Sequence, residues 1–290
     1  MRKGIILAGG SGTRLYPITS SLSKQSLPVF DKPMIYYSLS TLLLAGIKNI
    51  LVISTPRDIG VFKKIFKFSK KLGIQISYKV QKKPKGIAEA FILGEKFIGK
   101  SRVALILGDN LFFGKDFQSI LQKACNENYN IIFTYDVKNP EQYGVLKRTK
   151  KGNPKIIIEK PKKFISSEAV TGLYFYNNDV VKIAKKLKPS KRGELEITDI
   201  NSNYLKREKL NAINLGRGFT WFDTGSPSAL LDASNFVRSI QEREPFKISC
   251  IEEIALRMNF TNYDKIISYL KLIPNGEYKD YLNYINETNK

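Results

Sequence analysis

The chain has 290 residues, enough for one large domain or two modest ones. Its 42% hydrophobic content, 20 Gly and 12 Pro exclude collagen-like, mucin-like and disordered chains, and two cysteines outside any C-x-x-C exclude a disulfide framework or a zinc ribbon. A formal net charge of +22 admits a polyanionic partner, but the lysines are dispersed, with only short runs such as Lys82, Lys83 and Lys85, and biased Lys, Ile and Asn usage gives the same total without nucleic acid.

Apolar runs separated by amphipathic stretches organise the first half. Residues 4–8 read as a buried strand, 32–45 as a helix, 49–54 as a strand and 58–72 as a basic amphipathic helix. Strand 74–80, helix 87–98, strand 103–107 and helix 117–126 follow. Wholly apolar strands between helices indicate a mainly parallel sheet covered on both faces. Residues 131–137, 144–148, 155–159 and 172–176 then read as strands with few helices between them, an antiparallel or mixed portion. From Ser228 onward helical spacing dominates, with Leu231, Ser234, Val237 and Ile240 on one stripe. The expected organisation is an α/β core over 1–227 with a helical segment, 228–290, packed on it.

The run 5–8 is too short for a signal peptide, and no segment reaches the ~18 apolar residues of a membrane span, so a soluble, cytoplasmic protein without a membrane partner is expected. The chain has no histidine, which removes every Ser-His or Cys-His triad and the commonest general base. Chemistry must run on carboxylates, cations, backbone amides or a bound metal.

The strongest local signal is Gly9-Gly10-Ser11-Gly12-Thr13-Arg14, directly after the first strand. Glycines let backbone N–H groups approach a phosphate, and Arg14 adds a charge-assisted fork. No Gly-Lys-Ser/Thr closes a Walker A loop, and Leu15 stands where a dinucleotide fingerprint needs its third glycine. Asp109, after strand 103–107, and Asp223, in Phe219-Thr220-Trp221-Phe222-Asp223, lie at strand ends, where open α/β sheets bind ligands, and their oxygens suit Mg²⁺. Taken alone, Asp109-Asn110 is equally an Asx-turn, and Lys24, Glu159-Lys160 and Arg192-Gly193-Glu194 read by default as solvated, paired or capping groups.

Together with Ser23-Lys24-Gln25, Asp31-Lys32-Pro33, Tyr143-Gly144-Val145, Glu159-Lys160-Pro161, 170–176, 192–199 and 216–219, these motifs resemble the sugar nucleotidyltransferases, in the family's order along nearly the whole chain. The resemblance is closest to members that transfer a thymidylyl group to glucose 1-phosphate. It implies a Rossmann-like three-layer fold with a mainly parallel mixed sheet, and Mg²⁺-dependent formation of dTDP-glucose and pyrophosphate from dTTP and glucose 1-phosphate.

By the same resemblance Gly9, Gly12, Thr13 and Arg14 cradle the triphosphate beside Lys24, and Gln25, Gln81 and Gly86 recognise the base and deoxyribose. Asp109 and Asp223 ligate Mg²⁺. Tyr143, Gly144, Glu159, Lys160, Val170, Arg192 and Glu194 hold the sugar phosphate. Arg14, Lys24 and Lys160 are the implied catalytic cations. The resemblance also implies a homotetramer serving dTDP-rhamnose or other cell-surface polysaccharide synthesis. It further implies a regulatory nucleotide-sugar site involving Arg217 and 252–257. Four places depart from the family pattern: Ser26, Lys85, Glu89 and Ser226-Pro227-Ser228. Open alternatives are a UTP-using or base-relaxed enzyme and a non-catalytic sugar-nucleotide sensor.

Overall fold

The computed structural model describes residues 2–10 and 12–288. Strand β1 (Arg2–Ala8) leads through three 3-10 turns to the small hairpin of β2 (Pro28–Val29) and β3 (Lys32–Pro33), then α1 (Ile35–Leu44), β4 (Asn49–Ser54), α2 (Ile59–Ile65) and β5 (Gln75–Val80). Next come α3 (Glu89–Leu93), α4 (Glu95–Ile98), β6 (Arg102–Leu107), β7 (Asn110–Gly114) and α5 (Phe117–Asn126). Strands β8 (Asn130–Asp136), β9 (Gly144–Arg148), β10 (Pro154–Glu159) and β11 (Glu168–Tyr176) precede α6 (Val180–Ala184), α7 (Ile197–Lys206), β12 (Leu210–Asn214) and β13 (Phe219–Asp223). Four helices follow: α8 (Pro227–Gln241), α9 (Ile251–Arg257), α10 (Tyr263–Leu270) and α11 (Glu277–Thr288).

Nine strands form one mixed sheet. Strands β6, β1, β4 and β5 are parallel neighbours, β11 lies antiparallel between β6 and β8, and β12 is parallel to β8. The β9–β10 hairpin attaches to the N-terminal half of β11, with Ala169 opposite Val145. Because successive side chains alternate between faces, each central strand feeds two cores. Ile6, Ile106 and Val52 enter a core with Leu39 of α1, Leu121 of α5 and residues of the C-terminal helices. Ile5, Leu105 and Leu51 enter another with Phe91 of α3, Val181 of α6 and Ile200 of α7. This is the expected three-layer α/β arrangement, covered on both faces.

The main departures from the sequence reading have local causes. The stretch 32–45 starts as a strand, because Phe30 takes a left-handed turn (φ 56°) and Met34 N–H donates to Leu27 O at 2.9 Å. Stretch 58–72 ends its α-helix at Ile65, and its last turn, Ser69–Leu72, is 3-10. Stretch 87–98 breaks at Gly94 into α3 and α4. Leu231 is 60% exposed: the buried stripe of α8 runs through Ala233 and Val237 over Leu15, Met34 and Tyr37. Among the described residues no helix is long and apolar enough to cross a membrane.

Helices α9, α10 and α11 are joined by a buried carboxylate. Glu252 is 1% exposed and accepts hydrogen bonds from the hydroxyls of Tyr269 and Tyr278, both at 2.6 Å. Glu252→Ala removes the acceptor of buried Tyr269 and leaves the Tyr278 hydroxyl only Cys250 Sγ at 3.5 Å, an expected loss of about 1–3 kcal/mol for Tyr269 and less for Tyr278. Urea denaturation followed by circular dichroism measures it.

Candidate active site

At the C-terminal end of β1 the chain turns sharply, with left-handed backbone at Gly10 (φ 101°) and Gly12 (φ 63°). Ser11 lies outside the described residues. Thr19 Oγ1 donates to Gly12 O at 2.8 Å, and buried Leu15 roots the following turn in the core under α8. Arg14 therefore projects outward, 64% exposed, with Nη2 4.0 Å from Asp223 Oδ2. Thr13 starts the same turn.

Two carboxylates converge beside this loop. Asp109 follows β6 and forms an ion pair with the ammonium of Lys24. Burial lifts its carboxyl, but Lys24 and a 3.0 Å hydrogen bond from Asn110 Nδ2 outweigh that and hold it below its ordinary pKa. Asp223 ends β13, which pairs antiparallel with β7 so that Asp223 stands opposite Asn110. Burial and the Asp109 charge raise the Asp223 carboxyl to about 6, against the pull of Lys24, Arg14 and Lys160.

The join between the two is fixed by buried polar groups. Thr224 N–H and Oγ1 both donate to Asp109 O, at 3.0 and 2.8 Å. Asn110 Oδ1 accepts from Trp221 Nε1 at 2.6 Å and from Gly172 N–H at 3.1 Å, linking β7, β11 and β13. Among the described residues no three metal-ligating side chains cluster. A pair of carboxylates suits a hard cation such as Mg²⁺, which takes its remaining ligands from phosphates and water.

On one side of Asp223 lies a cavity of about 100 Å³ lined by Tyr143, Gly144, Glu159, Val170, Thr198 and Trp221, among others. The Tyr143 and Trp221 ring centroids are 5.1 Å apart. Burial and the Asp223 charge raise the Tyr143 hydroxyl above its ordinary pKa, so it stays a neutral donor. Thr198 Oγ1 donates to Glu159 Oε2 at 2.5 Å. Arg192 grips Glu196 at 2.9 Å and reaches within 3.6 Å of both Glu159 and Glu194. Lys160 has left-handed backbone (φ 44°), and its N–H donates to Tyr143 O at 2.9 Å.

On the other side, buried Gln25 and Gln81 flank Gly9. Gln25 accepts from Ser23 Oγ at 3.0 Å and donates to Gly9 O at 3.2 Å. Gln81 Oε1 lies 2.5 Å from where a Cβ on Gly9 would stand, so a side chain at that position would displace the Gln81 amide. Gly86 (φ 99°) lies against Leu195, whose carbonyl oxygen would be 2.4 Å from an added Cβ; Leu195 N–H donates to Lys85 O at 2.7 Å.

Comparison with known proteins is consistent with this geometry. The sequence pattern described as Nucleotidyl transferase matches residues 3–240. The chain is 50% identical over 281 residues to the glucose-1-phosphate thymidylyltransferase of Neisseria meningitidis, covering 97% of this chain and 98% of that one. It is 46% identical over 287 residues to the enzyme of the same name from Mycobacterium tuberculosis, covering 99% and 100%. The chain belongs to the nucleotidyl transferase family, and within it to the glucose-1-phosphate thymidylyltransferases. A solved Bacillus anthracis structure described under that enzyme name, in complex with a sucrose, superposes with TM-score 0.76 at 39% identity, covering 83% of this chain and 96% of that chain. UDP-glucose pyrophosphorylase with UDP-glucose superposes with TM-score 0.72 at 27% identity, covering 82% and 99%.

In this nucleotidyl transferase Lys24 pairs with Asp109, Arg14 and Lys160 act on Asp223, Tyr143, Gly144, Glu159 and Val170 line the adjoining cavity, Arg192 and Glu194 join it through Glu159, and Gln25 and Gln81 meet at Gly9. The sequence reading did not single out Thr198, Trp221 and Thr224 for the site. One signal was available: Trp221 is two residues before Asp223 on a strand, so the two share a face. Arg217 stands apart from the larger cavity of about 620 Å³ that Lys247, Cys250, Glu253, Ile254 and Arg257 help to line. Thr224→Val keeps shape but removes the Oγ1 donor to Asp109 O. The expected loss is about 1 kcal/mol, seen as a lowered denaturation midpoint.

Proposed function

We propose that the chain transfers a thymidylyl group from dTTP to α-D-glucose 1-phosphate, giving dTDP-glucose and pyrophosphate with Mg²⁺. One observation carries the reading: the carboxylate pair stands between a glycine loop with an outward arginine and a small cavity with an aromatic wall and carboxylates. The near full-length similarity to relatives named for this reaction supports the choice of substrates.

A phosphate oxygen of glucose 1-phosphate attacks the α-phosphorus of dTTP in line. The new P–O bond forms as the bond to the bridging oxygen breaks, and pyrophosphate leaves with the electron pair. The nucleophile is already an anion, so no proton moves and no histidine is needed. Rate must come from positioning and charge neutralisation. Backbone N–H groups of Gly9, Gly12 and Thr13 hold the triphosphate while Arg14 and Lys24 neutralise charge on the leaving group. Lys160 and Arg192 hold the sugar phosphate. Glu159, Glu194, Tyr143 and the backbone at Gly144 and Val170 engage the sugar, and Gln25, Gln81 and Gly86 the base and deoxyribose. Asp109 and Asp223 would hold Mg²⁺, which when bound supplies further charge neutralisation.

The same reading places the product in deoxysugar synthesis, dTDP-rhamnose first, for cell-surface polysaccharide. It includes a homotetramer with a nucleotide-sugar effector at the larger cavity; exposed Tyr16, Phe30 and Leu231 supply apolar surface for contacts between copies.

Pyrophosphate release with glucose 1-phosphate and Mg²⁺ should be led by dTTP over UTP, ATP, CTP and GTP and abolished by EDTA. Release led by another nucleotide, or none from folded protein, overturns the reading. Asp109→Asn should lower kcat on the order of 10²-fold or more in Mg²⁺, and full turnover would remove Asp109 from the metal site. Lys160→Ala should raise KM for glucose 1-phosphate by about tenfold or more while that for dTTP changes little.

A further inference from the structure

Gln81 is 3% exposed, just beyond β5, and its amide meets a carboxylate. Its Nε2 donates to Glu89 Oε2 at 2.7 Å, and the backbone N–H of Lys85 donates to the same oxygen at 3.4 Å. Glu89 is held in place from below, since its neighbours Ala88 and Ala90 are fully buried. An ionised carboxylate only accepts hydrogen bonds, so the half of the amide facing Glu89 must be the NH₂ group. That fixes the carbonyl oxygen on the opposite side, against Gly9 at the end of β1, and among the described residues no group donates to it.

We propose that Glu89 is a positioning residue that determines base specificity by locking the Gln81 amide in one orientation. The locked amide offers an acceptor oxygen and, beside it, its second N–H as a donor. This edge matches a base carrying a ring N–H next to a carbonyl, as thymine and uracil do. Cytosine presents the reverse, a ring nitrogen that accepts next to an amino group that donates. Turning the amide over to suit cytosine would set the Gln81 oxygen against the Glu89 carboxylate, two acceptors with no proton between them. The same carboxylate holds the backbone beside Gly86, so one side chain orients both parts of the loop assigned to the base. The inference rests on the reading that Gln81 faces the base.

The test compares dUTP with dCTP, which differ only in this base edge, by pyrophosphate release with glucose 1-phosphate and Mg²⁺. Glu89→Gln keeps the shape and pairs with either amide orientation; Glu89→Ala removes the partner. The wild-type chain should prefer dUTP. Both variants should reduce the ratio of kcat/KM values by about tenfold or more, with kcat/KM for dCTP rising in absolute terms. That gain is not produced by loosened folding. A wild-type chain without preference for dUTP overturns the proposal, as does an equal loss for both nucleotides in the Glu89 variants. Gln81→Ala separates the two levels. If it collapses the ratio while the Glu89 variants leave it unchanged, Gln81 reads the base and Glu89 does not orient it. If neither Gln81→Ala nor the Glu89 variants move the ratio, the assignment of Gln81 to the base fails, and the proposal with it.

Discussion

Holding Asp109 and Asp223 side by side is unfavourable, because burial disfavours charge and two like charges oppose each other's ionisation; burial first, and then the Asp109 charge, raise Asp223 to about 6. The surrounding construction offsets that repulsion. Lys24 pairs with Asp109, Arg14 approaches Asp223, and Thr224 and Asn110 bind the two strand ends through buried hydrogen bonds that leave the carboxylates little freedom to separate. A cation between the two would relieve the repulsion, and the triphosphate it accompanies would complete its coordination. The two-stranded ribbon of β7 and β13 stands off the main sheet because its task is to bring Asp223 over the end of β6.

The main sheet provides the second half of this arrangement. Its central strand β1 has parallel neighbours on both sides, so the glycine turn after Ala8 emerges at a position walled by the ends of β4 and β6. Gln81, just beyond β5, reaches Gly9 from one flank, and Asp109, just beyond β6, meets Lys24 from the other. Beyond β6 the order changes to antiparallel β11, whose N-terminal half carries the β9–β10 hairpin outward. That hairpin brings Gly144 opposite Glu159 and shapes the small cavity, so one change of strand direction separates the glycine turn from that cavity.

The parts legible in the sequence were those written in local pattern. Apolar runs marked the central strands and the glycine cluster marked the sharp turn after β1, because burial and backbone freedom act over a few residues. The β7 strand was missed because Asn110–Gly114 gains its partner more than a hundred positions later, in β13. The stripe of Leu231, Ser234, Val237 and Ile240 left the inward face of α8 open, because helical spacing gives a stripe without saying which face meets the core, and the packing of Ala233 and Val237 over Met34 decides it. Thr224 and Thr198 were not singled out for the same reason as β7. Their partners, Asp109 and Glu159, are distant in sequence and brought near only by the fold.

The positions that depart from the family pattern show how tolerance depends on which atoms a residue contributes. Lys85 stands beside Gly86, and its bonds there run through the backbone, N–H to Glu89 and carbonyl oxygen to Leu195 N–H. Ser26 closes its own turn by donating to Ser23 O at 2.7 Å. Ser226 caps α8 by accepting from Ala229 N–H at 3.3 Å, and Pro227 takes the first helical position, where its missing N–H is not needed. Glu89 differs from these three because its carboxylate is the group in contact, and that contact sets the direction of the Gln81 amide beside Gly9. Of the four departures it is therefore the one whose side-chain identity bears on the direction of the Gln81 amide.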